Sequence, residues 1–455
     1  MIARARVAAF DILQALSSGR ADLPTALAHA RETLEDDRDK SLAAEIATGV
    51  LRHRAALDHL IAAFAKREID RLDPEVVTIL RLSSYQILHL TRVPASAVVD
   101  DAVDLTRRAK KGSASGFVNA VLRSLSRSRH ALPLPPRPEH PSDREAALAY
   151  FATTLSHPRW LAARWYDRLG FERAEQWMQF NNHPAPLTLR ANRLKTTPDA
   201  LAARLDREDV IVSPGRWAPD ALIVSEGRAL QTAAAADGSF VVQDEASQLV
   251  ALLAGPSPGP RVLDTCASPG GKTTAMAATL ASWSGHGLVV ACDVRDARLA
   301  LLTRTVAASG AANIRVVQAD VAQPLPFRET FDCVLVDAPC SGLGTLRRDP
   351  DIRWRRREAD LAGCAAVQTQ MLRHAAACVS AGGRLIYSTC SSEPEENDDV
   401  ATAFLAATRA FAAVDATTIA GLPAAVVDDH GRLRTTPDQH GLECFFGAVF
   451  ERTKL

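Results

Sequence analysis

Asp264-Thr-Cys-Ala-Ser-Pro-Gly-Gly-Lys-Thr-Thr274 is the stretch that decides the fold of this chain. It continues from the apolar segment 261–265 and leads into a helical pattern, which predicts a turn between a strand and a helix. Two adjacent glycines let the backbone turn tightly and approach a ligand closely, and the free N–H groups of a helix start attract negative charge. The stretch therefore predicts a ligand cradle at the end of a strand.

Short apolar strands alternate with longer helical segments from this stretch onward. The predicted strands are 261–265, 287–292, 314–318, 333–336 and 384–387. Repeated strand–helix units predict an α/β fold, in which helices cover both faces of a parallel sheet and ligands bind at the carboxyl ends of the strands. The cradle, Asp337-Ala-Pro-Cys340 and Ser388-Thr-Cys390 all fall at such ends.

The chain before the cradle has a different pattern. Residues 3–129 carry apolar side chains at helical spacing and predict an all-helical domain. The dense prolines of 131–141 indicate an extended linker. Helical patterning resumes at 144–181, and 184–195 alternates apolar and polar residues as a strand does. We expect a helical domain at 1–130, a linker at 131–143, a helical segment with a small α/β module at 144–240, and a last domain at 241–455.

Composition excludes several classes of protein. The 455 residues hold 53 Lys plus Arg against 53 Asp plus Glu, so any surface that binds nucleic acid must be local. The N-terminus lacks a signal-peptide pattern and the chain lacks a long uncharged apolar run, so we expect a cytoplasmic protein without a membrane partner. The 8 cysteines show no CxxC spacing, so we expect no metal site. We also expect a monomer.

Three nucleotide interpretations compete for the cradle. A Walker A loop needs a glycine where this chain has Cys266, and a dinucleotide fingerprint needs GxGxxG, which the stretch lacks. Asp293 ends the next predicted strand about twenty residues beyond the glycines, the usual distance for binding ribose hydroxyls. Asp320 follows the third strand and suits an adenine amino group. These residues favour S-adenosylmethionine, although on physical grounds alone the choice stays open.

The ordered motifs resemble those of RNA cytosine-C5 methyltransferases. The resemblance is carried by Asp264–Thr273, by Asp337-Ala-Pro-Cys-Ser-Gly-Leu-Gly344, by Arg347-Arg-Asp-Pro-Asp-Ile-Arg-Trp354, and by Tyr387-Ser-Thr-Cys-Ser-Ser-Glu-Pro-Glu-Glu-Asn397. Upstream, Phe117-Val-Asn-Ala-Val-Leu-Arg123 and its helical surroundings resemble the NusB-like domain of the RsmB (Sun/Fmu) branch, which modifies bacterial 16S rRNA. The resemblance implies a Rossmann-like, S-adenosylmethionine-dependent methyltransferase core behind a NusB-like domain.

The resemblance also assigns the cofactor residues. The methionine end of S-adenosylmethionine would be wrapped by Cys266, Ala267, Ser268, Pro269, Gly270, Gly271 and Lys272. Asp293 would bind the ribose, Asp320 would lie near adenine, and Asp337 would lie near the methyl group and the target base.

The chemistry requires a thiol. Carbon 5 of cytosine becomes nucleophilic enough to take a methyl group once a thiolate has attacked C6. Cys340 and Cys390 both stand at strand ends, and their spacing cannot choose between them. The resemblance implies that Cys390 is the nucleophile and that Cys340 releases the product. Asp337 would bond the N3–amino edge of the base. We expect Cys266 to be structural, and Cys292, Cys333, Cys364, Cys378 and Cys444 to lie in the core.

The RNA, by resemblance 16S rRNA, would be held by basic residues. The run from Arg347 to Arg357 follows the Cys340 motif, so we expect it to bind phosphates, with Trp354 stacking on a base. Further basic residues that would extend this track are Arg190, Arg193, Lys195, Lys110 and Lys111. The target base would have to flip out of its stack.

Other functions remain open at this stage. One is a methyltransferase-like RNA-binding or ribosome-assembly factor that has lost turnover. A second is a transfer-RNA cytosine-C5 methyltransferase, and a third is a transcription-associated RNA-binding module dominated by the NusB-like domain.

Overall fold

The structure is a computed structural model that describes residues 2–255, 259–284, 287–328 and 330–454. The chain forms two compact units. The first comprises Met1–Pro184 and Leu346–Arg356, and the second comprises Ala185–Thr345 and Arg357–Leu455. The predicted domain boundaries at residues 130, 143 and 240 stay a prediction.

The first unit is helical. Its helices are α1 (Arg4–Ser17), α2 (Leu23–Thr33), α3 (Asp37–Arg52), α4 (Arg54–Ala65), α5 (Pro74–His89), α6 (Ala95–Arg108), α7 (Ser115–Arg127), α8 (Arg144–Ala149), α9 (Arg159–Leu169) and α10 (Phe171–Asn182). Leu13, Ile46 and Leu80 pack in one buried core because each helix carries an apolar stripe. The prediction of helices over 3–129 is confirmed. Residues 131–143, all of them described, form neither helix nor strand, as their prolines predict.

The basic residues around α6 are largely paired. Lys111 lies 3.2 Å from the carboxylate of Asp73, and Arg107 lies 2.8 Å from that of Asp104. Lys110 adopts a left-handed conformation at the turn after α6, with a φ of 60°. This surface therefore offers less free positive charge than the sequence predicts.

The segment Leu346–Arg356 belongs to the first unit because Arg353 is buried there. This guanidinium is fully buried and donates to the carbonyl of Ser156 (3.1 Å), the carbonyl of Asn181 (3.1 Å) and the side-chain oxygen of Asn182 (2.8 Å). Burial, and to a smaller extent the nearby charge of Arg52, lowers the pKa of Arg353 to about 9. Arg353 thus fixes the segment to helices that precede it by more than a hundred residues.

The prediction that this segment binds RNA is wrong for Arg353 and Trp354. The Trp354 indole N–H donates to the carbonyl of Leu51 (2.7 Å), and its ring packs against the buried core of the first unit. Arg347 donates to the carbonyl of Pro184 (2.8 Å), and Arg355 pairs with Asp351 (2.6 Å). Most of this basic run is therefore engaged within the protein.

The second unit contains strands β1 (Leu187–Ala191), β2 (Ile211–Pro214), β3 (Ala221–Glu226), β4 (Phe240–Val242), β5 (Arg261–Asp264), β6 (Leu288–Asp293), β7 (Ile314–Gln318), β8 (Phe331–Asp337), β9 (Val379–Thr389), β10 (Phe411–Val414), β11 (Leu433–Thr435) and β12 (Phe445–Arg452). The later helices, in chain order, are α11 (Pro198–Asp206), α12 (Ala233–Ala236), α13 (Glu245–Leu252), α14 (Gly271–Ser284), α15 (Asp296–Ser309), α16 (Ile352–Arg355, in the first unit), α17 (Asp360–Ala377), α18 (Asp398–Ala407) and α19 (Pro437–His440).

These strands form two sheets. The smaller is antiparallel, with the order β2-β3-β1-β4. The larger has the order β10-β12-β9-β8-β5-β6-β7, with β11 beside β12. Its strands β5 to β9 are parallel, as predicted, but β10, β11 and β12 are antiparallel additions that the sequence analysis did not predict.

Alternate residues of the parallel strands enter two separate apolar layers. Val262 and Leu335 point to a layer shared with α13 and α14, whereas Leu263 and Val334 point to a layer shared with α17. Each strand of a sheet that is buried on both faces is a continuous apolar segment, which explains why these strands could be predicted from the sequence. The α/β fold class is confirmed.

The cysteines mostly lie where predicted. Cys292, Cys333, Cys378 and Cys444 are buried, but Cys364 on α17 is only half-buried, so its assignment to the core is wrong. None of the 8 cysteines, all of which the structure describes, forms a disulfide. Among the described residues, no helix is both long and apolar enough to cross a membrane.

Replacing Arg353 with methionine should destabilise the first unit. The substitution leaves several buried carbonyl oxygens without their donor, and each such group costs about 1–3 kcal/mol. We expect the free energy of unfolding in urea to fall by roughly 3 kcal/mol. Arg357→Met, at an exposed neighbouring arginine, is the matched control and should change it by less than about 0.5 kcal/mol. Equal unfolding curves for the two variants would contradict the anchoring role of Arg353.

Candidate active site

The cradle lies where the strand order of the large sheet changes direction. Strand β5 pairs with β6 on one side and with β8 on the other, and Asp264 is level with Ala291 and Leu335. Both neighbouring strands run two residues further than β5, and each ends in an aspartate, Asp293 or Asp337. The loop after β5 is therefore flanked by two carboxylates at the edge where open α/β sheets bind ligands.

The glycine turn needs its glycines. Gly270 has a φ of 105°, in the region that side chains disfavour, and an added Cβ would approach Leu302 to 3.0 Å. Its N–H donates to the carbonyl of Ala267 (2.7 Å), which closes the turn, and α14 begins at Gly271. The turn thus delivers the start of a 14-residue helix to the ligand edge.

Asp264 lies buried beneath the cradle. Its Oδ2 accepts a hydrogen bond from the Thr273 hydroxyl (2.7 Å), so it ties the end of β5 to the first turn of α14. Burial raises the pKa of Asp264 to about 7. The hydrogen bond from Thr273 acts in the opposite direction but is the smaller effect. No role was predicted for this carboxyl, although its position at a strand end was a signal that could have identified it.

Asp293 and Asp320 occupy the ends of the next two strands. Asp293 accepts the N–H of Ser268 (3.2 Å) and that of Val294 (2.9 Å), which fixes it against the cradle. Arg298 pairs with the same carboxylate (3.2 Å) and also donates to the Ser268 carbonyl (2.8 Å). Asp320 is exposed and accepts the N–H of Ala322 (2.9 Å). Both carboxylates retain lone pairs for a hydroxyl or amino donor, so the donor set fits a nucleoside.

A half-buried ion pair joins the cradle to the next strand end. The Lys272 ammonium lies 2.7 Å from Oδ2 of Asp337, and the Ser388 hydroxyl donates to Oδ1 (2.8 Å). The Phe445 ring lies 5.5 Å from the same ammonium. Burial lowers the pKa of Lys272, but the charge and hydrogen bond of Asp337 outweigh it and raise that pKa overall. Lys272 is therefore a fixed positive charge in the site.

Cys340 and Cys390 are brought together by the register of β8 and β9. Asp337 is level with Ser388, so the loops that follow the two strands start side by side. The sulfurs lie 3.3 Å apart. The N–H of Gly344 donates to the Cys390 carbonyl (2.9 Å) and holds the loops together.

The two thiols are not equivalent. The hydrogen bond from the Cys340 thiol lowers the pKa of Cys390, and Lys272 lowers it further, whereas burial and the charge of Asp337 raise it. The same bond raises the pKa of Cys340, and burial adds to this. Cys390 is therefore the thiol of the pair that ionises more readily, and Cys340 is the one that keeps its proton more firmly.

Arg190 supports the cradle and does not face RNA as predicted. It is buried and donates to Thr274 (2.7 Å), to Gln243 (2.8 Å) and to the carbonyl of Gly271. The other predicted RNA contacts on the small module are exposed but engaged: Arg193 pairs with Asp220 and Lys195 donates to backbone carbonyls. The alternating pattern of the strand identified β1 but could not tell that Arg190 points inward.

Within the described part of the chain, no cluster of three or more His, Cys, Asp or Glu side chains is arranged to hold a metal ion. The polar groups at the strand ends are instead the carboxylates, the ammonium and the two thiols described above.

Comparison with known proteins gives three family matches. Residues 251–451 match the model of the 16S rRNA methyltransferase RsmB/F, residues 3–127 match the NusB family, and residues 157–231 match the ferredoxin-like domain of RsmF/B-like methyltransferases. The probable ribosomal RNA small subunit methyltransferase B of Bacillus subtilis (strain 168) is 35% identical over 419 residues, which cover 90% of each chain.

Solved structures have the same fold. The crystal structure of PH0851 superposes with a TM-score of 0.80 at 24% identity and covers 99% of each chain. NSun6 from Pyrococcus horikoshii, solved with SFG, superposes with a TM-score of 0.57 at 19% identity over 66% of this chain and 99% of that one. A helical NusB domain, a small sheet module and a methyltransferase core of mixed sheet are therefore present here.

Asp264→Asn should change how stability depends on pH. The folded-state pKa of Asp264, about 7, lies above its unfolded value of roughly 3.9, so the wild type loses stability as pH rises between them. Asparagine cannot ionise, and its carbonyl still accepts the Thr273 bond. We expect the free energy of unfolding of Asp264→Asn, relative to the wild type, to rise by about 1.4 kcal/mol per pH unit from pH 4.5 to 6.5.

Urea unfolding across this pH range measures the effect. Asp320→Asn is the control because it removes an exposed carboxylate from the same sheet edge, and it should keep the wild-type dependence on pH. If the difference in the free energy of unfolding between Asp264→Asn and the wild type does not change with pH, Asp264 is not a buried, protonated carboxyl.

Proposed function

Because the chain belongs to the RsmB/F family of S-adenosylmethionine-dependent methyltransferases of small-subunit ribosomal RNA, we propose that it methylates C5 of a cytosine in 16S rRNA through a covalent adduct on Cys390. The observation that carries the proposal is the pair of thiols, 3.3 Å apart, beside the half-buried Lys272–Asp337 ion pair. A thiolate next to a fixed cation is what attack on C6 requires.

Cys390 would act as the nucleophile. Its pKa is lowered by the Cys340 hydrogen bond and by Lys272, so it holds the thiolate form more readily than an isolated buried cysteine. Attack on C6 breaks the C5–C6 double bond and makes C5 electron-rich, ready to accept a methyl group. Loss of the C5 proton and departure of the Cys390 sulfur restore the ring, and Cys340 would promote this release.

Asp337 would orient the base. Its two oxygens accept one bond each from Lys272 and Ser388, and each retains a lone pair for the cytosine N3–amino edge. A carboxylate there favours protonated N3, which offsets the negative charge that develops on the attacked ring. Lys272 holds the carboxylate in place through their 2.7 Å contact.

The cofactor would bind along the cradle. Cys266, Ala267, Ser268, Pro269, Gly270, Gly271 and Lys272 would hold its methionine end, with Asp293 at the ribose, Asp320 near adenine and Asp337 near the methyl group. Bound S-adenosylmethionine supplies an electrophilic methyl group on a sulfonium. Strand β5 lies between two longer strands that each end in an aspartate, and this arrangement supports the assignment. A structural neighbour was solved with SFG, an S-adenosylmethionine analogue.

The RNA partner is proposed from the family. Lys110 and the exposed Arg357 remain candidates for phosphate contacts, whereas Arg190, Arg353 and Trp354 do not. The intact pair of cysteines and the Lys272–Asp337 pair favour a working enzyme over a silent assembly factor.

Cys390→Ala should reduce methyl transfer from S-adenosylmethionine to 16S rRNA by roughly a thousandfold or more, because the variant lacks the proposed nucleophile. It should also abolish covalent trapping on RNA that contains 5-fluorocytosine. Cys340→Ala should instead accumulate the adduct, visible as a shifted band on a denaturing gel. Radiolabelled transfer followed by bisulfite mapping of the product measures the reaction and its position.

Cys364→Ala is the matched control, because it removes a half-buried thiol on α17 and should retain both transfer and trapping. Full activity of Cys390→Ala would refute the covalent mechanism. Transfer to a transfer RNA in place of 16S rRNA would refute the proposed substrate.

A further inference from the structure

Glu396 lies buried between the two cysteine loops. It ends a short turn, Pro394–Glu396, and its side chain is inaccessible to solvent. Its Oε1 accepts the N–H of Ser341 (2.7 Å), and its Oε2 accepts the hydroxyls of Ser391 (2.5 Å) and of Ser341. Ser341 directly follows Cys340 and Ser391 directly follows Cys390, so one carboxylate binds the residue after each thiol.

The same carboxylate is fixed from a third direction. The Gln368 side-chain amide donates to Oε1 (3.0 Å) and also to the carbonyl of Pro339 (3.0 Å). The Cys340 loop is thereby held on both sides of its cysteine, at Pro339 and at Ser341. The Tyr387 hydroxyl donates to the Glu396 carbonyl (2.5 Å), which ties the turn to β9.

We propose that Glu396 is a positioning residue that holds the Cys340 and Cys390 loops together and so sets the contact between the two sulfurs. The roles that this gives the thiols rest on the proposed function. Glu396 itself touches neither substrate nor cofactor in this scheme, and it acts through Ser341 and Ser391.

The sign of its charge supports a geometric role. A negative charge near a thiol disfavours the thiolate, and Glu396 raises the pKa of both Cys340 and Cys390. A residue selected to activate a nucleophile by its charge would be a cation, as Lys272 is. The benefit of Glu396 must therefore come from what it aligns: charged hydrogen bonds inside a protein are strong and directional.

Two variants separate geometry from charge. Glu396→Ala removes the hydrogen bonds to both loops. Glu396→Gln removes the charge, yet its carbonyl can accept from Ser341 and Gln368 while its amide donates to the two serine hydroxyl oxygens. Glu393→Ala is the matched control, because it removes a carboxylate that is equally inaccessible and lies three residues earlier in the same loop.

The measurements use the full chain without RNA. The rate at which iodoacetamide alkylates Cys390, followed by peptide mass spectrometry against pH, reports its apparent pKa. The rate at which diamide forms the Cys340–Cys390 disulfide reports how close the sulfurs are. Neither depends on methyl transfer, so a failure of the proposed function would appear in Cys390→Ala activity and not here.

Glu396→Ala should raise the apparent pKa of Cys390, because the Cys340 bond is lost, and should slow disulfide formation at least tenfold. Glu396→Gln should leave the disulfide rate within twofold of wild type and lower the apparent pKa. Glu393→Ala should match the wild type in both. With RNA, Glu396→Ala should lower kcat at least tenfold with KM unchanged, and glutamine should restore it.

The proposal is overturned if Glu396→Ala keeps the wild-type disulfide rate, if Glu396→Gln behaves like Glu396→Ala, or if Glu393→Ala reproduces the defect. Should Glu396→Ala fail to fold, Ser391→Ala tests the same link. It removes the hydroxyl that joins the Cys390 loop to Glu396, together with the contacts of that hydroxyl to the Ser341 hydroxyl and the Glu393 N–H. A severalfold slower disulfide in Ser391→Ala supports the proposal, and an unchanged rate refutes it.

Discussion

Lys272 holds a positive charge in a half-buried position of the second unit, and the carboxylate of Asp337, 2.7 Å away, offsets the partial desolvation of that charge. The pair spans two elements, because Lys272 lies in the first turn of α14 and Asp337 ends β8. On one side it borders the glycine turn, and on the other it borders Cys390, whose pKa Lys272 lowers. The glycine turn, the Asp337 carboxylate and the Cys390 thiol are thus arranged around one half-buried ion pair, and their spacing follows from the register of adjacent parallel strands.

The small sheet module contributes to the cradle as well. Arg190 on β1 donates to the carbonyl of Gly271 and to Thr274, at the start of the helix that follows the glycine turn. The neighbouring Asn192 donates to the carbonyl of Ser309, at the end of α15 (2.9 Å). Both helices that follow the cradle strands are therefore anchored to the antiparallel sheet. This explains why Arg190 on that module is buried.

The local sequence pattern was enough to predict the strand ends, because apolar segments and the polar residues that follow them are local features. The residues found in this way are Asp293, Asp337, Cys340 and Cys390. It failed for Arg353, whose partners precede it by more than a hundred residues in sequence. Sequence alone predicts an exposed arginine, because arginine is rarely buried unless partners such as these carbonyls surround it.

The antiparallel edge of the large sheet was missed for a related reason. Strand β12 is an apolar run that indicates a buried strand but not its neighbour or its direction, and those depend on pairing with β9. Glu396 stands in a quoted motif, yet which of several adjacent acidic residues turns inward is decided by the two loops that it binds.

The segment Leu346–Arg356 has a consequence for the way the chain is divided. Because it belongs to the first unit while its flanks belong to the second, the backbone passes from one unit to the other at three places in the sequence. A fragment that stops at Pro184 would lack the guanidinium that fills the space between Ser156 and Asn181. Neither unit is a contiguous module, so gene truncation cannot separate them cleanly, and a synthetic peptide of this segment would be the natural complement for an isolated N-terminal fragment.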